Sequence, residues 1–457
     1  METKVYIQNH PSSNSPTTPP PPTPIYFNKI DKNKWNSMEM NRNYGLHNHL
    51  LSEETLSRKY NIQEKHVFSN RISNKGSVTH QKSSGRCWLF AALNMIRSSG
   101  FLKKYNLPSN FEFSQNYLFF WDKFERVNYL LEMFEKTKDE PLEGRLMSCV
   151  LKEPIGDGGQ WQMFVNLIEK YGIVPKDVYP ESFHSSNTAG LNMVLSKKIR
   201  EYCKQIRFDS SSENKKHILK EVFGILVQFL GKPPSSFNWI HYDKSDKYCS
   251  IYDITPLQFY KKYVNIDVRK YVSLINDPRN DYNRLYTVRY LNNVIESPNI
   301  LHLNMNMDVI TRCMKKSIDM DEPIWFGCDV GQFMRSQNCI LDKDLFDIEG
   351  RLNIKFGMNK RERIEYGDSL MTHAMLITGY NVNEEGKIDR WQIENSWGTK
   401  GDSKGYYSMS HKWMKEFLYQ ISVPKQLLTE EEKKYMENKD IITLELWDPM
   451  GALATVY

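Results

Sequence analysis

Three things are scarce in this 457-residue chain, and each scarcity excludes a class of protein. Long apolar runs are missing. The best, residues 223–230, is interrupted by Gln228 and falls far short of the roughly 18–20 residues that cross a bilayer, so no membrane partner is expected. The first residues lack the charged, then apolar, then small-residue pattern of a secretory leader, which makes the cytoplasm the expected location. Paired cysteines are missing too. The seven present, Cys87, Cys149, Cys203, Cys249, Cys313, Cys328 and Cys339, are odd in number and scattered without a C-x-x-C pair, which fits neither a disulfide framework nor a structural zinc site. Charge of one sign is also in short supply. Lys and Arg number 61 against 55 Asp and Glu, leaving +6, which bears on solubility and gives slight attraction to polyanions. What is present, 40% hydrophobic, 13% aromatic and 25% charged residues, is the balance of a soluble globular protein. The length suffices for a sizeable core in one large domain or two to three lobes.

Residues 1–45 read as a tail. Residues 12–24 are almost entirely Ser, Thr, Asn and Pro, with Pro19 to Pro22 consecutive, and such a stretch has too little apolar area to offset the entropy of ordering. Downstream, helical and extended patterns alternate. Leu89, Leu93 and Ile96 fall at i, i+4 and i+7, which predicts a helix from Cys87 to Ile96 with Gly100 as its stop. A second helix is expected from Gln162 to Tyr171, ended by Gly172, and Ser114 marks a further helix start. Ala374 to Thr378 and Trp391 to Glu394 read as strands, the second ending at Asn395. Lys415 to Leu418 reads as part of a late helix.

The informative segment is Gln81-Lys82-Ser83-Ser84-Gly85-Arg86-Cys87-Trp88. A Cys opening a helix sits where unpaired amide N–H groups and the helix dipole favour negative charge, so its thiol is expected below the ordinary range. Gln81, six residues earlier, is placed to offer a side-chain amide to an oxyanion. A lone Cys is more often a small buried hydrophobe, and any single His is more often structural. The combination carries the weight. His373 heads one strand and Asn395 closes another, followed by Ser396-Trp397-Gly398. Cys87 would then be the nucleophile, His373 its base and later acid, and Asn395 the group that fixes the imidazole tautomer, with Trp397 shielding that contact from water. Gly156-Asp157-Gly158-Gly159 invites a phosphate-loop reading, but no Lys-Ser/Thr follows.

Ser84-Gly85-Arg86-Cys87-Trp88 resembles the papain-type signature, and Glu394-Asn395-Ser396-Trp397-Gly398 resembles that clan's Asn segment. Ser84 stands where secreted relatives carry a disulfide-bonded Cys, which suits a reducing compartment. The Cys-to-His interval, 373 − 87 = 286 residues, exceeds the roughly 130–150 of ordinary papain-like enzymes, so something near 150 residues is inserted. That interval is similar to the bleomycin hydrolase family of aminopeptidase C-like cysteine peptidases. So are Gly231-Lys232-Pro233-Pro234, Ile254-Thr255-Pro256-Leu257, the segment from Trp325 to Gly331, the segment from Ser369 to Met375, and Trp447-Asp448-Pro449-Met450-Gly451-Ala452-Leu453-Ala454. The resemblance implies an α+β, papain-like two-lobed fold over residues 46–424 with a helical insertion at about 190–320. It also implies a C-terminal arm, residues 425–457, in the active-site cleft.

For function, the resemblance implies a cysteine aminopeptidase acting on peptide substrates through Cys87, His373, Asn395 and Gln81. It implies no cofactor, assembly as a homohexamer, and a terminal carboxylate that meets the substrate's α-amine. Gly158 and Gly159 would line the cleft and let the peptide backbone approach, with a plain turn as the alternative, and Ala454 would stand at the arm's working end. The sequence departs from the family in running on through Thr455-Val456-Tyr457, so self-trimming to Ala454 is one expectation. Two other readings remain. Lys197-Lys198-Ile199-Arg200 and Lys360-Arg361-Glu362-Arg363 leave room for a nucleic-acid-binding protein with accessory peptidase activity, although such clusters are usually solvated faces. A displaced arm would instead give an endopeptidase.

Overall fold

The computed structural model describes residues 55–56, 63–399 and 403–454. The tail at 1–45 and Thr455 to Tyr457 lie outside them.

Helix α1, Cys87–Ile96, is the helix that the apolar spacing predicts, and all ten of its residues are buried. A tight turn follows over Arg97–Phe101, where Gly100 takes φ +103°, a conformation that suits a residue without a side chain. Helix α2, Gln115–Lys136, starts at Ser114, whose hydroxyl accepts from the Tyr117 N–H in place of a missing intrahelical partner. Helix α3, Trp161–Tyr171, ends at Gly172 with φ +71°. A Cβ there would lie 2.2 Å from the Pro256 carbonyl oxygen. Two long helices, α4 (Ala189–Phe208) and α5 (Ser212–Leu230), complete a helical half that packs with α1–α3 around one apolar core.

Within residues 190–320, expected to be a helical insertion, helices α4 and α5 run as far as Leu230. Beyond it come a hairpin, β1 (Phe237–Tyr242) with β2 (Tyr248–Ile254), and strands that enter the main sheet. The reason is non-local. Strand β3, Tyr271–Ile275, pairs in parallel with the nearby His302–Asn304 on one side, but joins the centre of the sheet only through β8, Leu418–Pro424, on the other.

The centre of the main sheet is antiparallel, in the order β3, β8, β4 (Ile324–Cys328), β5 (His373–Val382), β6 (Ile388–Glu394), β7 (Tyr406–Ser410). Its second core is built from Phe326, Met375, Ile377, Trp391 and Ile393 together with helix α6, Met307–Asp319. The late helix spans His411–Phe417, and Leu418 already belongs to β8. With α1 packed on β5, the thiol-bearing helix and the imidazole-bearing strand face each other across the seam between the two halves. None of the described helices is long and apolar enough to cross a membrane.

Candidate active site

Cys87 opens α1 and His373 opens β5, and both line one cavity of about 660 Å³. The backbone N–H of Ala374, next to His373, donates to the Cys87 Sγ at 3.4 Å. On the far side of the imidazole, Nε2 lies 2.9 Å from the Asn395 Oδ1. The Ser396 N–H also points at that oxygen, at 2.7 Å, which settles which end of the amide is oxygen. Nε2 therefore carries the proton, leaving the Nδ1 lone pair as the basic site. The Trp397 ring stands 4.8 Å from the imidazole, centroid to centroid. Asn395 itself is buried.

Gln81 is fixed from both ends. Its Oε1 accepts from the Ser396 hydroxyl at 2.6 Å, and its Nε2 donates to the Ser84 carbonyl at 2.6 Å. An amide nitrogen has two hydrogens, so one N–H of Gln81 stays available to the cavity that it lines. Ser396 is the link that sequence reasoning missed. It ties Gln81 to the Asn395 segment, and its place directly after Asn395 was the available signal.

The expectation of a lowered thiol is corrected. Burial pushes the Cys87 thiol up to about 11, against the N–H groups of Ala374, Trp88 and Cys87 itself, which pull it down. Burial likewise takes the His373 imidazole down to about 4, opposed by Asn395. Three backbone dipoles do not outweigh the loss of water around a residue that is 3% exposed.

The two glycines divide their work. A Cβ on Gly158 would lie 2.0 Å from the Leu453 carbonyl oxygen, so this residue is the contact between cleft wall and arm. Gly159, expected to line the cleft beside it, does not. A Cβ there would lie 2.4 Å from the Trp88 indole, and the residue is small in order to pack on that ring. The arm is held at several points. Gln160 Nε2 donates to the Met450 carbonyl at 2.7 Å, and Arg279 bridges Asp277 and Asp448 at 2.8 Å each. Ala452 and Leu453 are the arm residues that line the cavity. Ala454 turns instead toward a smaller neighbouring cavity, where the Arg126 guanidinium donates to its carbonyl at 3.3 Å.

Beneath the cleft lies a buried polar cluster that the sequence did not announce. Asp157 receives the Lys123 ammonium at 2.9 Å, the Asn192 amide at 2.8 Å, the Gly85 N–H at 3.0 Å and the Thr188 hydroxyl at 2.5 Å. Burial alone would raise its carboxyl. Lys123, Gly85 and Thr188 overcome that and hold it well below the usual carboxylate range. Of the basic clusters, Lys198 pairs with Glu201 and Glu221, Arg361 with Glu365 and Arg363 with Glu416. Lys360 is half-buried, its ammonium on the Leu418 carbonyl at 2.7 Å. Lys197 and Arg200 are exposed, the Arg200 guanidinium donating to the Leu151 and Lys152 carbonyls.

Residues 28–451 match the Peptidase C1-like family. The chain belongs to that family. Within it, human bleomycin hydrolase is 40% identical over 424 residues, covering 89% of this chain and 92% of that protein. Aminopeptidase C of Streptococcus thermophilus is 42% identical over 434 residues, 91% and 96% of the two chains. The crystal structure of PepW from Lactobacillus rhamnosis HN001 superposes with a TM-score of 0.89 at 38% identity, covering 94% of this chain and 99% of that one. As a Peptidase C1-like protein it has the papain-like α+β fold.

Proposed function

We propose that Cys87, His373, Asn395 and Gln81 form the catalytic site of an aminopeptidase, and that the arm confines cleavage to the N-terminus of peptides. The chain is a cysteine aminopeptidase similar to bleomycin hydrolase and aminopeptidase C. The observation that carries the residue assignment is the run from Asn395 Oδ1 through the imidazole to the strand start whose next N–H touches the sulfur.

With the thiol up near 11 and the imidazole down near 4, neither group ionises alone in the closed site. The proton passes from Sγ to Nδ1 so that both charges appear together and stabilise each other. The thiolate attacks the carbonyl carbon of the first peptide bond. The oxyanion is met by the free Gln81 N–H and the N–H groups at the start of α1. The imidazolium then protonates the departing amine, leaving a thioester that water hydrolyses with His373 as base. The unprimed side of the cleft is short, since Leu453 lies on Gly158 where further N-terminal residues would run. Glu153, an exposed carboxylate at the cavity edge, complements the ammonium of a free N-terminus.

The test is one peptide sequence offered with a free and with an acetylated N-terminus. Wild type is expected to cleave the free form alone and Cys87→Ala neither. Cleavage of both forms would keep the site assignment and make the protein an endopeptidase. Intact-mass measurement of wild type beside Cys87→Ala checks self-trimming to Ala454, which a wild type ending at Tyr457 would refute. The seven free thiols support a reducing, cytoplasmic location. The exposed face of the hairpin, with Ile240, Tyr242, Tyr248 and Tyr252, supports self-association, and the family resemblance suggests a homohexamer. Light scattering at six times the chain mass is the expected result.

A further inference from the structure

We propose that Asp157 is a positioning residue of this site: with Lys123, its buried carboxylate sets where Cys87 stands relative to the wall on which substrate and arm lie. The inference rests on the functional reading above.

Asp157 joins three segments that are far apart in the chain. One carboxylate oxygen takes the Lys123 ammonium of α2 and the Asn192 amide of α4. The other takes the Gly85 N–H and the Thr188 hydroxyl just before α4. Its backbone carbonyl accepts the Trp88 indole N–H at 2.7 Å. Lys123 closes the cluster with bonds to the Gly156 carbonyl at 2.7 Å and the Asn192 Oδ1 at 2.8 Å. Cys87 is thus bracketed. Gly85, two residues before it, is held by the Asp157 side chain, and Trp88, directly after it, by the Asp157 main chain. The next residue after Asp157 is Gly158, on which the arm rests.

The fit is close. A Cβ on Gly85 would lie 3.0 Å from the Asp157 Cβ, so a side chain there would crowd the carboxylate against the N–H that it accepts from. A buried ion pair is a poor route to stability, since apolar residues of like volume serve as well or better. Its value here is directional. Four donors on two oxygens fix the spacing between nucleophile and cleft wall, and an error of about 1 Å in that spacing costs on the order of a hundredfold in rate.

The test uses the full chain and two aminoacyl-methylcoumarin substrates, alanyl and methionyl, with active sites counted by an irreversible thiol reagent. Asp157→Ala should lower kcat per active site about 30- to 100-fold with KM within about threefold. Combining Lys123→Met with Asp157→Asn should bring kcat back to within about fivefold of wild type. The Asn oxygen again accepts the Gly85 N–H, and no ammonium is left unpaired. An unchanged kcat, a loss confined to KM, or a folded double variant no better than Asp157→Ala overturns the proposal. If Asp157→Ala does not fold, Thr188→Val decides. It removes one of the four bonds and should cost about three- to fivefold in kcat, and an unchanged kcat again overturns the idea. A wild type inactive on both substrates refutes the aminopeptidase reading itself. An active wild type with an unaffected Asp157→Ala refutes the positioning role alone.

Discussion

Two buried ion pairs flank the cleft, and they respond to burial in opposite ways. Beside Cys87, the carboxyl of Asp157, paired with Lys123, is held well below the usual carboxylate range. Behind the imidazole, Glu394 pairs with Arg97 at 2.9 Å, one residue before Asn395. There burial wins, and the carboxyl is pushed up to about 7 despite Arg97. Both acids have a cation at the same distance, but Glu394 is the more deeply buried and has fewer close neutral donors. Asp157 has two donors on each oxygen. The Glu394 Oε1 takes Arg97 and the Asn94 amide at 2.9 Å, while its Oε2 has the Tyr406 hydroxyl at a long 3.5 Å. A carboxylate taken out of water keeps its charge when its lone pairs are filled, not merely when it is neutralised.

Breaking each pair from the cationic side separates them most sharply. Lys123→Met leaves Asp157 charged and unpaired, and should cost about 3–5 kcal/mol of stability, read as a fall in the urea midpoint at constant slope. Arg97→Met should cost less, about 1–3 kcal/mol, because Glu394 can take up a proton. Most of that cost is the loss of the Arg97 bonds to the Ser77 and Phe111 carbonyls. Equal costs for the two variants would erase the distinction drawn between the pairs.

The smallest effect is a slope. Glu394 has a folded-state pKa above its unfolded value of 4.5. Between those two values the unfolded chain holds fewer protons than the native one, so stability from this group falls as pH rises from about 4.5 to about 7. Glu394→Gln removes the titration. Melting temperatures at pH 5 and pH 7.5 should show wild type losing ground to the variant at the higher pH. Parallel behaviour at both pH values would contradict the raised carboxyl.

The groups proposed as catalytic were legible because each is tied to a local pattern. Cys87 heads a helix marked by Leu89, Leu93 and Ile96, His373 heads a short apolar run, and Asn395 closes a strand in which Trp391 and Ile393 alternate with Gln392 and Glu394. Strand β3 was not legible as part of the sheet, because its pairing with β8 spans more than a hundred residues and local periodicity carries no information at that range. The cluster around Asp157 escaped for a different reason. Charged residues clustered on a helix ordinarily make a solvated face, yet Asp122, Lys123, Glu125 and Arg126 on α2 are all buried. Each pairs with another charged residue: Asp122 with Arg126, Lys123 with Asp157, and Glu125 with Lys170. Composition marks such residues as polar and says nothing of a partner supplied by another segment. The two misplaced cleft contacts, Gly159 and Ala454, were right in position along the chain and wrong in facing, which backbone direction decides.

Helix α1 is enclosed along its entire length. All ten of its residues are buried, and only its first, the thiol, opens on the cavity. A segment packed in this way has no small opening available to it, so its amide hydrogens should exchange with solvent only when the whole chain unfolds. Loss of activity on heating should then coincide with loss of the native population, with no earlier inactive but folded state. The deuterium uptake of α1 would report the global stability of the protein directly.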